Sequence, residues 1–175
     1  MYYYSPFRKL YNENRGQRAV MCAFCDPAVT DKQTVRNSEG ILVENDYYRW
    51  IINFFPKFEG HTMIVPKRHL THLGDETPDE IIAREKLIVI AAKALQELYP
   101  GAGVEIFIQS GTGSESSISH LHWHVVPALL DDHLRGFDKL GHYFTVEPGQ
   151  EKVLLFPVPI RLAQEELIKA LQTVL

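Results

Sequence analysis

Residues 120–127 read His120-Leu121-His122-Trp123-His124-Val125-Val126-Pro127. In extended chain, successive side chains point to opposite faces. A strand here places His120, His122 and His124 on one face and Leu121, Trp123 and Val125 on the other. A helix would fan the same histidines around its axis. Strand geometry therefore gathers three groups that can each act near neutral pH as nucleophile, acid, base or metal ligand. A purely structural strand has β-branched residues available for those positions.

Working outward, Pro127 ends this strand, and a Gly/Ser-rich loop over residues 110–119 leads into it from a strand expected at 104–109. Before that, residues 77–99 carry the clearest helical signal. Thr77 is an N-cap, Pro78 stands at the first helical position, and Glu80 completes a capping box. Ile81, Ile82, Leu87, Ile88, Ala91, Ala92, Leu95 and Leu98 recur at helical spacing, and Pro100-Gly101 stops the run. Strands are expected at 41–44, 48–55 and 61–65, the last ended by Pro66, as an antiparallel meander. In the C-terminal part, 131–141 reads as a loop or short helix. Residues 143–146 and 153–156 are a candidate strand pair. Residues 160–174 form a helix with Leu162, Leu167, Ile168 and Leu171 on one face. The fold class is α+β, an antiparallel sheet with a long helix on one face. No internal repeat or low-complexity tract is present, and residues 1–175 are expected to form a single domain.

Composition limits the function classes. The chain has 175 residues, 45% hydrophobic and 23% charged, which suits a globular domain with its own core. A net charge of -4 and the absence of a basic run argue against a nucleic-acid binder. A small phosphorylated ligand needs only local positive potential. The N-terminus lacks a secretory apolar core, no apolar run is long enough to span a bilayer, and two closely spaced cysteines suit a reducing setting. A cytoplasmic protein is the expectation.

Two stretches carry chemistry besides the histidines. The loop from Gln109 through Ser110, Gly111, Thr112, Gly113, Ser114, Glu115, Ser116 and Ser117 lets backbone N–H groups approach a phosphate, and its hydroxyls add donors. Taken alone, such a loop is usually only a loop. Cys22-Ala23-Phe24-Cys25 has three readings: half of a zinc site, a redox pair, or two incidental small apolar residues. A redox pair wants a thioredoxin-like context, which is absent. A zinc site needs two further N or S ligands.

The histidine segment, alternating with apolar residues and followed by two more, resembles the signature of the histidine triad (HIT) superfamily. Asn53 followed by Gly60-His61, and Val65-Pro66-Lys67-Arg68-His69, resemble the first half of that family. Tyr4-Ser5-Pro6-Phe7-Arg8 ahead of Cys-x-x-Cys is similar to the arm of a bacterial branch related to diadenosine polyphosphate phosphorylases and hydrolases. The resemblance covers roughly residues 4–127. Residues 1–40 correspond to an N-terminal arm and 128–175 to a divergent extension.

The resemblance implies a five-stranded half-barrel that dimerises through a continuous sheet. It also implies an enzyme cleaving at a nucleotide α-phosphate through a covalent nucleotidyl-histidine. His122 would be the nucleophile. His124 would bond the phosphate and assist the leaving group. The backbone carbonyl of His120 would accept the Nδ1 proton of His122. Asn53 would lie near the ribose, with His61 near the site. Gln109, Ser116 and Ser117 would face phosphate. A structural zinc would be held by Cys22, Cys25, His69 and His120, with His72 a rival for His69. Glu115 stands where many members have glycine, Ser116 where they have glutamine, and Ala128 where they have arginine. A carboxylate at 115 repels phosphate unless it points outward. Diadenosine polyphosphates are the first substrate reading. Adenosine phosphoramidate or aminoacyl-adenylate hydrolysis, or a non-catalytic nucleotide-binding module, are the alternatives. Trp50 reads as core or as base-pocket wall, Trp123 and Leu121 as core, and Lys67 and Arg68 as a surface pair.

Overall fold

The computed structural model describes residues 22–25, 40–53, 59–114, 116, 118–131, 136 and 160–174. Expectations for Tyr4 to Arg8, residues 54 and 55 of the second strand, Glu115, Ser117, residues 132–135, the strand pair 143–146 and 153–156, and the side chain of Leu162 lie outside the described residues.

Five strands form one antiparallel sheet: β1 (Ile41–Glu44), β2 (Tyr48–Ile52), β3 (Thr62–Pro66), β4 (Gly103–Ile108) and β5 (Trp123–Ala128). Their spatial order is β1-β2-β3-β5-β4. The first three are the expected meander. Helix α1 (Pro78–Leu98) then carries the chain across to the far edge, and β5 returns between β3 and β4. Helix α2 (Ile160–Val174) packs on α1 and β1.

The alternation in β2, β3 and β5 sorts residues onto two faces. Tyr48, Trp50, Ile52, Ile64, Trp123 and Val125 join Leu87, Ala91 and Leu95 of α1 in the main core. Ile51, Met63 and Val65 point the other way and form a second small cluster around Phe24. Both faces of β3 are thus covered, and all five of its residues are buried. His124 is opposite Met63 on one side and Phe107 on the other, so it belongs to the second face. Leu121 and Trp123 are core residues, and Trp50 is fully buried in the same core.

Helix α1 begins as its sequence signals require. Thr77 accepts from the Glu80 amide, the Glu80 carboxylate accepts from the Thr77 amide, and Pro78 occupies the first turn. Three expectations are corrected. The histidine strand begins only at Trp123, so His120 and His122 lie in the approach to it. The ladder is limited because Pro66, the last residue of β3, has no N–H to give, and its carbonyl faces His120 Nε2 at 3.1 Å. Leu121 instead donates to the Leu70 carbonyl at 2.6 Å. In the first turns of α1, Ile81 and Ile82 are exposed while Glu80 and Arg84 are buried. Those two are drawn inward by partners, Arg68 for Glu80 and Glu76 for Arg84. In α2 the inward face is Leu167, Ala170 and Leu171, spaced three and four apart, and Ile168 falls at its exposed edge.

Candidate active site and metal site

The histidine segment is held from both sides. His122 Nδ1 donates to the His120 carbonyl at 2.8 Å. That bond commits Nδ1 and leaves Nε2 as the nitrogen with a lone pair. Burial pushes the pKa of His122 down, against the opposing pull of the same carbonyl, so the ring favours its neutral form. The rings of His122 and His124 meet edge to face, with centroids 4.7 Å apart. His124 Nδ1 is 2.7 Å from His61 Nε2, and the Asn53 amide nitrogen is 3.2 Å from the same His61 atom. Asn53, His61, His122 and His124 are all buried. They form one continuous cluster on the second face of the sheet.

Gly60 makes the turn that delivers His61. Its φ is +65°, and a Cβ there would stand 2.7 Å from Pro127 Cγ and 2.9 Å from the Tyr99 ring. The position demands glycine on both counts.

The Gly/Ser loop is tied down by its own polar groups. The Gln109 side chain donates to the Ser114 carbonyl at 2.5 Å, and the Ser116 hydroxyl to the Ile118 carbonyl at 2.9 Å. Gly111 N–H donates to the Thr71 carbonyl, and Leu73 N–H donates to Ser110 Oγ at 2.9 Å, which fastens the loop to residues 71–73. Among the expected phosphate-binding residues, Gln109 and Ser116 therefore have roles in loop shape. Ser117 lies outside the described residues.

Cys22, Cys25, His69 and His120 come together, with one ligand atom from each all within 4.8 Å of one another. Cys22 Sγ is 3.2 Å from His120 Nδ1, and Cys25 Sγ is 3.4 Å from His69 Nδ1 and 3.5 Å from His120 Nδ1. Zinc at about 2.3 Å from sulfur and about 2.0 Å from nitrogen sets S···N edges of about 3.5 Å in a tetrahedron. These three S···N spacings match those edges. His120 Nε2 donates to the Pro66 carbonyl, the second-sphere bond that presents Nδ1 as a ligand. Burial, with His69 and His122 as neighbours, pushes the pKa of His120 down to about 4, so it is neutral and able to ligate. Burial and Cys22 push the Cys25 thiol up, a pressure that a coordinated cation relieves. The four residues are a donor set able to hold a metal ion. His72 is elsewhere, with Nδ1 at 2.8 Å from Thr71 Oγ1 and 3.8 Å from Asp75.

Three contacts were not legible from the motifs. Phe24 packs edge-on against His120 and His122, at 5.6 and 5.2 Å between centroids. Phe107 stacks on His124 at 4.5 Å with the planes 18° apart. Its position two residues before Gln109 in a strand is the signal that would have put it on the site face. Behind the strand, the Arg84 guanidinium lies 4.6 Å over the Trp123 ring. It is held by Glu76, which also accepts from Tyr48 Oη at 2.5 Å. Lys67 pairs with Glu44, and Arg68 with Glu80.

The fold and the histidine cluster define an architecture met in known proteins. The model of the HIT domain matches residues 35–129, and the chain belongs to that family. It is 33% identical over 86 residues to an uncharacterised HIT-like protein of Mycoplasma pneumoniae, covering 48% of this chain and 58% of that one. It is 27% identical over 109 residues to the bis(5'-adenosyl)-triphosphatase of Saccharomyces cerevisiae, covering 61% of this chain and 53% of that one. The chain thus spans between half and two thirds of the length of these curated relatives. The crystal structure of a zinc-bound histidine triad family protein from Mycobacterium smegmatis superposes with a TM-score of 0.62 at 24% identity, over 87% of this chain and 94% of that one. No helix among the described residues is long and apolar enough to cross a membrane.

Proposed function

We propose that the protein cleaves dinucleoside polyphosphates, diadenosine polyphosphates first among them, at the α-phosphorus through a nucleotidyl-His122 intermediate. The observation that carries the reading is the 2.8 Å bond from His122 Nδ1 to the His120 carbonyl. It presents Nε2 of a buried, neutral imidazole as the attacking atom. In the first step the Nε2 lone pair forms a P–N bond, and the bridging P–O bond breaks with its electron pair on the leaving oxygen. His124 supplies a proton there. In the second step water, or inorganic phosphate, adds to phosphorus and gives its proton to His124, which lost one in the first. The P–N electron pair returns to His122, and the nucleotide leaves. Asn53 and His61 orient the ribose side and His124. Gln109 and Ser116 shape the phosphate loop, and Ser117 is proposed to bind phosphate.

Cys22, Cys25, His69 and His120 would hold zinc. With all four positions filled by protein, its contribution is structural. Those four ligands would tie the Cys-x-x-Cys segment to His120, whose carbonyl orients the nucleophile. The similarity to a zinc-bound family member supports this part. The similarity to a bis(5'-adenosyl)-triphosphatase supports the substrate class.

The function is tested by product analysis with diadenosine tetraphosphate, with and without inorganic phosphate. AMP and ATP in both conditions mean hydrolysis. ADP that appears only with phosphate means phosphorolysis. No cleavage under either condition contradicts the reading. The protein is taken as a homodimer. Exposure of Ile106 on the edge strand β4 supports that, and a monomeric mass by sedimentation contradicts it.

A further inference from the structure

Phe107 lies on the edge strand β4, directly opposite His124 across the β4–β5 ladder. Residues paired this way hold their Cβ atoms about 5 Å apart, close enough for ring-on-ring contact. The ring does more than touch. It lies nearly parallel to the imidazole, 4.5 Å between centroids and 18° between planes. His61 meets His124 at Nδ1, 2.7 Å away, and its ring is tilted 54° to that of His124. A hydrogen bond fixes one point of a ring. A stacked ring fixes its plane. Together they set the direction in which the other nitrogen, Nε2, points.

We propose that Phe107 is a positioning residue for His124, and that β4 thereby belongs to the leaving-group side of the site. The inference rests on the nucleotidyl-transfer reading above. In that reading His124 hands a proton to the departing oxygen or nitrogen as the bond to phosphorus breaks. Proton delivery demands alignment within hydrogen-bond reach of the atom that leaves. Substrate binding demands much less of the same ring. Loss of the stacked ring should therefore slow the step that expels a poor leaving group and spare substrate affinity.

The test compares the wild type with Phe107→Leu, which keeps an apolar side chain but removes the π face, and with Phe107→Tyr, which keeps the face. Two substrates differ only in the leaving group. An alkylamine phosphoramidate of adenosine 5'-phosphate needs a proton to depart. The p-nitrophenyl ester of AMP does not. Phe107→Leu should lower kcat on the phosphoramidate by at least about tenfold, a fraction of what general acid catalysis commonly supplies. Its KM should stay within about twofold, its activity on the p-nitrophenyl ester should be nearly unchanged, and Phe107→Tyr should recover most of the loss. Equal losses on both substrates, or none on either, overturn the proposal. A second readout needs no turnover. Side-chain NMR relaxation of His124 should show a rigid ring in the wild type and in Phe107→Tyr, and a ring moving about χ2 in Phe107→Leu. An unchanged His124 signal in Phe107→Leu overturns the positioning role. A wild type inert to both substrates overturns the activity instead, and the NMR comparison still decides the role of Phe107.

Discussion

Gly60 places His61 by a backbone conformation that other residues resist. At φ +65°, with Pro127 Cγ 2.7 Å and the Tyr99 ring 2.9 Å from where a Cβ would sit, alanine meets both torsional strain and a rigid neighbour. Left-handed backbone costs an L-residue about 1–2 kcal/mol, and overpacking about 1–3 kcal/mol more. Gly60→Ala is expected to lower unfolding stability by on the order of 3 kcal/mol, read from the midpoint of urea denaturation. A change of only a few tenths would contradict the packing argument. At this scale the sequence was most readable where a residue's chemistry is unusual. The alternating histidines, Asn53 and His61 stand out by type, and the structure brings His61, His122, His124 and Asn53 into one cluster. Phe24 and Phe107 did not stand out, because an aromatic residue in a strand or loop reads equally well as core.

Helix α1 shows why elements are legible from local signals and misread when partners are remote. Its capping box involves residues three apart and was visible in Thr77-Pro78-Asp79-Glu80. Most of its buried face was as well, with Leu87, Ile88, Ala91 and Leu95 inside, but its first turns were not. Glu80 turns inward because Arg68 donates to it, and Arg84 because it donates to Glu76, and periodicity says nothing about partners on other elements. Ile81 and Ile82 are left outside. The start of β5 failed for the same reason, since the chemistry of Pro66 in another strand limits the ladder. The Glu80 pair also has a pH signature. Hydrogen bonds from Arg68 first, and from Thr77, hold the Glu80 carboxyl down at about 2 against an ordinary 4.5, overcoming an opposing push from burial. A lowered folded pKa means the unfolded chain binds the proton more readily. The contribution is therefore full above 4.5 and disappears as pH falls through 2. Glu80→Gln should flatten the stability curve over that window in denaturation experiments run at stepped pH. An unaltered slope would show that the pair has no net effect.

At the scale of the molecule, the sheet separates structure from chemistry. One face packs on α1 and buries Trp50 and Trp123. The other gathers the histidines, Phe107 and the Cys-x-x-Cys segment. Contacts such as Cys22 to His120, 98 residues apart, follow from no local pattern. They were anticipated only through the family resemblance. Metal at that cluster stabilises by mass action. A thousandfold excess over Kd gives about 4 kcal/mol, and each kcal/mol moves the melting point of a chain this size by roughly 2–4 °C. Chelation is expected to lower Tm by about 10 °C. Elemental analysis should find zinc in the wild type and none in Cys22→Ser, which should melt near the chelated wild type. Equal melting with and without chelator would deny the metal its structural part. The central claim concerns His122, and the most direct measurement is the covalent state of that residue during turnover. The protein is mixed with labelled diadenosine tetraphosphate, quenched in base and mapped by mass spectrometry. An acid-labile adenylyl group on His122 is expected in the wild type, with neither adduct nor turnover in His122→Ala. Turnover that persists in His122→Ala, or an adduct on another residue, would contradict it.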